Sequence, residues 1–183
     1  MSYCQINVFK NGLPEYGEEY RNSHGGHSRI WTALFDKYLK DPTIPYDCWL
    51  TRSLHDRSLW ELAHRKDLPL FERAVHTSTF DYAIVRRENF ERYVAHLREF
   101  VDTYPAGNYV CHLLAWADFI EGCDEDVEAI GYYGTSCGED LWFVWDGDKE
   151  ESVPYDLNTG EKHLEVYEWL EYWEKHREEE SEA

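Results

Sequence analysis

The sequence predicts an α+β domain, in which about five to six helices accompany a small, mostly antiparallel sheet. Three observations lead there. Hydrophobic residues make up 43% and aromatics 16% of the 183 residues, enough buriable surface for a folded core. The apolar pattern switches irregularly along the chain between a 3.6-residue and a two-residue period. Finally, no internal repeat or linker divides the sequence, so residues 1–177 read as one domain and the mostly acidic residues 178–183 as a fraying tail.

Cys4–Phe9 alternates enough for a first strand, ended by the turn pair Asn11-Gly12. Ser28 reads as the N-cap of a helix whose inner stripe is Ile30, Trp31, Leu34, Phe35, Tyr38 and Leu39, and Asp41-Pro42 stops it. Ser58 with Glu61 forms a capping-box pattern for a short helix through Arg65, and Asp67-Leu68-Pro69 opens another through Val75. Phe80–Val85 reads as a strand buried on both faces. Phe90, Tyr93, Val94, Leu97 and Val101 then give a helical stripe through Asp102, closed by Tyr104–Gly107. Asn108 caps a second helix carrying Val110, Leu113, Leu114, Ala117 and Ile120, with Gly122 at its end, so that the two make a helical hairpin. Val127–Tyr133 and Leu141–Asp146 are strands around the loop 134–138, and a short strand follows at Ser152–Tyr155. After the turn Asn158-Thr159-Gly160, a last helix turns Leu164, Val166, Tyr167, Leu170 and Trp173 inward.

Charge is divided unevenly along this plan. Residues 1–100 carry 14 Lys+Arg and 14 Asp+Glu, whereas 101–183 carry 4 and 23, so the net charge of -19 lies wholly in the second part. Phosphate binding needs clustered Lys and Arg, so direct binding of nucleic acid is not expected, and a basic protein is the partner such a half favours. The same acids also serve solubility, and charge alone does not separate the two roles. The candidate partner-binding residues are Asp118, Glu121, Asp124, Glu125, Asp126, Glu128, Glu139, Asp140, Asp146, Asp148, Glu150, Glu151, Glu161, Glu165 and Glu168. On the last helix Glu161, Glu165, Glu168, Glu171 and Glu174 recur at three- and four-residue intervals, a row of like charges that repel unless a cationic partner offsets them. Carboxylates so arrayed approach the charge spacing of duplex DNA, and Tyr167, Trp169 and Tyr172 among them are candidate anchors.

Catalytic and metal-binding readings have less to stand on. His24-Gly-Gly-His27 offers two imidazoles to a metal, but no third ligand is singled out, and the glycines suit a tight turn. Asp124, Asp126 and Glu128, like Asp146, Asp148 and Glu150, alternate as calcium ligands do. Both sets lack the glycine and the glutamate an EF-hand requires at its sixth and twelfth positions. Cys137 sits in a loop where a histidine such as His112, His163 or His176 would have to activate it. No hydrolase, zincin, Walker or dinucleotide-binding pattern occurs, and no cofactor is expected. Five cysteines without a CxxC pair favour reduced thiols, and no membrane span or signal peptide is evident, so a cytoplasmic location is expected.

Several stretches resemble a family of uncharacterised proteins encoded by bacteriophages and prophages. They are His24–Trp31 through Lys37–Leu39, and Ser78–Asn89 leading into the helix at Phe90–Phe100, with weaker echoes at Gly131–Ser136 and Val153–Gly160. The acidic helix after Gly160 and the pair Tyr132-Tyr133 depart from that family, which would leave any family-wide function to residues 20–100. The resemblance implies provenance: an accessory protein acting in the cytoplasm of an infected or lysogenic bacterium. Together with the missing enzyme motifs, it leads to a non-enzymatic protein that binds and inhibits a basic, nucleic-acid-handling protein of anti-phage defence through its acidic surface, with DNA mimicry as the concrete form. The alternatives are an immunity protein that neutralises a basic nuclease toxin, and a small enzyme using His24 and His27 or Cys137.

Overall fold

A computed structural model describes residues 3–21, 26–51, 57–105, 110–134 and 140–180. The fold is α+β, as the alternating periods predict. Strands β1 (Tyr3–Lys10), β2 (Leu13–Arg21), β3 (Ala83–Arg86), β4 (Ala129–Gly134) and β7 (Leu164–Glu165) form one sheet in the order β2-β1-β4-β3-β7. All its pairings are antiparallel except β3 with β7. β5 (Phe143–Asp146) and β6 (Glu151–Pro154) pair only with each other, so the strands on either side of the 134–138 loop belong to different sheets.

Alternation along the strands sorts side chains onto two faces. Cys4, Ile6, Val8, Ala83, Val85 and Ile130 join the main core beneath the helices, whereas Phe9, Ile84 and Ala129 look the other way, into a smaller cluster with Trp142 and Leu157. Gly131 lets Trp142 lie flat against that second face, since a Cβ there would come within 2.6 Å of the indole. The helices over the main core are α1 (Gly26–Tyr38), α2 (Ser58–Glu61, continued by a 3-10 turn at Leu62–His64), α3 (Leu70–Thr77), α4 (Phe90–Thr103), α5 (Val110–Glu121) and α6 (Val166–Glu180). The expected stripe of α4 is buried as a unit: Phe90, Tyr93, Val94, Leu97 and Val101 all lie in the core, joined by Phe100.

Several boundaries differ from the sequence reading. α1 begins two residues before Ser28, whose carbonyl accepts the Thr32 hydroxyl inside the helix at 2.7 Å. Arg57, not Ser58, occupies the cap of α2, and no side chain caps it. β3 starts only at Ala83, because Tyr82 takes a left-handed φ of 59° and Phe80 packs instead between Trp31, His76 and Trp169. Leu164 and Glu165 form β7 rather than the first turn of the last helix, whose backbone runs on to Glu180. The expected cap Asn108 lies outside the described residues.

The largest addition is β2, nine residues that follow a two-residue turn in which Asn11 (φ 51°) and Gly12 (φ 78°) both take positive φ, the pattern of a type I′ hairpin. Its pairing with β1 is interrupted once. Ile6 faces Glu18 and Asn7 faces Tyr16, leaving Gly17 as an extra, unpaired residue. A Cβ at Gly17 would stand 2.4 Å from the Ile6 carbonyl oxygen and 3.0 Å from the Phe119 ring, so the bulge is built for glycine.

Candidate functional site

The acidic half does not stand alone, because basic residues of the first hundred reach into it. Arg98 on α4 bonds Asp118 at 3.2 Å and Glu121 at 2.6 Å on α5. Lys10, at the end of β1, lies 2.9 Å from Asp126 and 3.9 Å from Asp124. On α6, Arg92 meets Glu171 at 3.8 Å and the buried Arg73 meets Glu174 at 2.8 Å. Exposed pairs of this kind add at most about 1 kcal/mol each to stability, but they cancel the local field.

Other candidates serve local structure. Glu128 accepts the Gly12 N–H at 2.9 Å and so steadies the β1–β2 turn. Asp140, half-buried, accepts the Trp142 N–H at 2.9 Å; burial raises its pKa and the backbone donors oppose this. Asp146 accepts the N–H groups of Asp148 (3.0 Å) and Lys149 (3.3 Å) in the β5–β6 turn, and its pKa is lowered, chiefly by the first of these. Glu165 is no surface residue. It is 5% exposed and accepts bonds from the Arg86 N–H (3.3 Å), the Asn89 amide (3.1 Å) and the Glu168 N–H (2.7 Å), because β7 pairs with β3 and draws it inward. Glu139 lies outside the described residues. That leaves Glu125, Asp148, Glu150, Glu151, Glu161 and Glu168 exposed, with no cation in salt-bridge range among the described residues.

The expected anchors of α6 are mostly core. Tyr167 is 2% exposed, with its hydroxyl 2.9 Å from His96 Nδ1 and Arg92 over its ring. Trp169 packs on His64 and Phe80. Tyr172 alone is exposed, stacked on His176.

Other exposed aromatics include a group on β2 and β5. Tyr16 on β2 is 67% exposed and stacks on Phe143 of β5, with Val144 and Trp145 (61% exposed) further along the same strand. Carboxylates are carried by the same two elements. Asp148, Glu150 and Glu151 occupy the β5–β6 hairpin, and Glu15, Glu18 and Glu19 line the exposed edge strand. The Lys10 pKa is raised first by its hydrogen bond to Asp126, and the fields of Asp126, Glu15 and Asp124 add to this. Glu18 and Asp118 together act on the Tyr20 phenol, whose pKa is raised first by burial and then by these two charges. The carboxylates of β2 therefore lie between acids of α5 and of the loop before β4 that Arg98 and Lys10 neutralise, and part of the acidic surface comes from the first hundred residues. The Asn11-Gly12 turn, expected only to end the first strand, is the one local sequence signal compatible with a second strand beyond it.

The alternative sites assemble less. His24 and Cys137 lie outside the described residues, as does the side chain of His27, which falls in the first turn of α1. Among the described residues no three His, Cys, Asp or Glu side chains come together as a metal site. His163 Nδ1 lies 3.2 Å from the Tyr155 hydroxyl, His176 Nδ1 is 2.9 Å from the Tyr172 carbonyl, and the His112 ring packs against Tyr20.

Two buried polar groups remain. Glu72 is fully buried and receives Lys37 Nζ (2.7 Å), the Tyr38 hydroxyl (2.6 Å) and the Tyr104 hydroxyl (2.8 Å), which ties α1 and the end of α4 to α3. With both oxygens engaged, Glu72 fastens three helices together. His76 is fully buried between Trp31 and Phe80, and neither ring nitrogen has a hydrogen-bond partner among the described residues. Burial, aided by His64, pushes its pKa down to about 3 and keeps it neutral. No helix of the described residues is long and apolar enough to cross a membrane. No protein-family model, curated protein or solved structure matches the chain.

Proposed function

We propose that this chain is a non-catalytic phage or prophage accessory protein that binds and inhibits a basic, nucleic-acid-handling protein of its bacterial host, with the acidic and aromatic surface of β2 and the β5–β6 hairpin as its working face. The observation that carries this reading is the stacking of the exposed Tyr16 on Phe143, at the start of a strand that also exposes Val144 and Trp145 and leads into the acids Asp148, Glu150 and Glu151. Binding energy in protein interfaces concentrates in a few such aromatics, while the surrounding charge steers encounter and selects partners of opposite sign.

The spacing of the acids favours protein docking over close imitation of DNA. Glu15, Glu18 and Glu19 place three charges along roughly 13 Å of strand at about 3.3 Å per residue, sparser than the one charge per ~1.7 Å of duplex. The acids therefore supply attraction and the aromatics the grip.

The test is capture of host proteins from bacterial lysate by tagged protein, by Trp145→Ala with Tyr16→Ala, and by the triple reversal of Glu15, Glu18 and Glu19 to Lys. The native chain is expected to retain a basic nucleic-acid-binding protein at low salt and release it as salt rises, and both variants to lose it while keeping their circular dichroism. Capture of the same protein by all three would overturn the reading.

A further inference from the structure

We infer that the outer edge of β2 is a strand-addition site for an extended, lysine- or arginine-rich segment of the partner. This rests on the acidic-face reading above and specifies how the partner is held. β2 ends its sheet, with β1 as its sole strand neighbour among the described residues. Residues 15–19 are all exposed, so one row of the strand's N–H and C=O groups faces solvent. At nine residues, β2 is well above the usual strand length of about 5–6, and what guards it is neither shortness nor a cover but Pro14, the Gly17 bulge and its glutamates, of which the glutamates repel only strands that are not cationic.

The side chains flanking this edge choose the occupant. Glu15 and Glu18 pair with Val8 and Ile6 and so stand on the helix side of the sheet. Tyr16 and Glu19 pair with Asn7 and Gln5 and stand on the hairpin side. A strand laid along β2 would send alternate side chains to the two faces, and it would find carboxylates on both. A second copy of this chain is the wrong occupant, because pairing β2 with itself brings Glu15, Glu18 and Glu19 of one chain close to those of the other, and like charges across a ladder destabilise it. The same acids that hold copies apart attract a cationic strand. Pro14 has no N–H to offer, so the ladder is confined to residues 15–21.

The test uses the full chain and a capped peptide as long as β2 that alternates lysine with valine and threonine, beside the same peptide N-methylated at every second residue, which keeps its charge but cannot build a ladder along one edge. The first is expected to bind at low salt and to slow hydrogen exchange at residues 15–21, the second to bind about tenfold or more weakly. Equal binding of both, with no protection of β2, would overturn strand addition and leave the acidic face standing. No binding of either would overturn both.

Discussion

The phenol ring of Tyr16 lies stacked on the ring of Phe143, centroids 4.9 Å apart and planes 18° from parallel. Through this contact the edge of the main sheet touches a hairpin that shares no strand pairing with it. Tyr16→Ala should cost about 1 kcal/mol, the usual worth of an aromatic pair, measured by urea unfolding. Hydrogen exchange should quicken within residues 143–154, the hairpin released, and remain unchanged in α4.

Glu72 makes the opposite kind of contact, fully buried and central. Glu72→Ala removes the acceptor from Lys37, Tyr38 and Tyr104 at once. A loss of about 3 kcal/mol is expected, with Glu72→Gln falling between it and the native chain, both read from denaturant midpoints.

Acid should destabilise the fold through His76. Its folded pKa, about 3, lies below the unfolded value near 6.5, so the unfolded chain takes the proton first. The stability contributed by the neutral ring is complete above pH ~6.5 and falls by about 1.4 kcal/mol per pH unit on the way down towards pH ~3. His96, whose pKa burial pushes down to about 4, acts in the same direction. Urea midpoints between pH 6.5 and 5, above most carboxylate titration, should drop in the native chain and drop less in His76→Leu.

Arg98→Ala tests the charge argument from the other side. Freed of the guanidinium, Asp118 and Glu121 add to the negative charge beside β2. Stopped-flow association with a lysine-rich peptide should quicken at low salt and return to the native rate at ~1 M salt, where the Debye length is ~3 Å. Stability should change by no more than about 1 kcal/mol.

Much of the helical layer was legible because its apolar stripes have a single phase. Phe90 through Val101 repeat at helical spacing, and the structure buries them together. β2 was not legible for the converse reason: exposed Glu15, Glu18 and Glu19 fall on both of its faces, so no alternation of apolar and polar residues marks it. Glu165 was misplaced because its helical spacing continues that of Glu161 and Glu168, while its burial depends on Arg86 and Asn89, more than seventy residues away. The neutralising pairs of Lys10 and Arg98 are likewise long-range contacts that no local pattern announces. In the candidate surface the acids of the hairpin could be read from composition, whereas its aromatic centre required Tyr16 and Phe143 to be brought together by the fold.

The bulge at Gly17 sets the phase of everything beyond it. If a bulkier residue there expelled the extra position, Glu18–Tyr20 would shift by one place against β1, and each of those side chains would change sides of the sheet. Tyr20 would leave Trp116 and His112 for the opposite face. A single hydrogen atom in place of a side chain thus acts as a frame marker, and a lineage that lost it would have to rewrite three consecutive residues to recover the same surface.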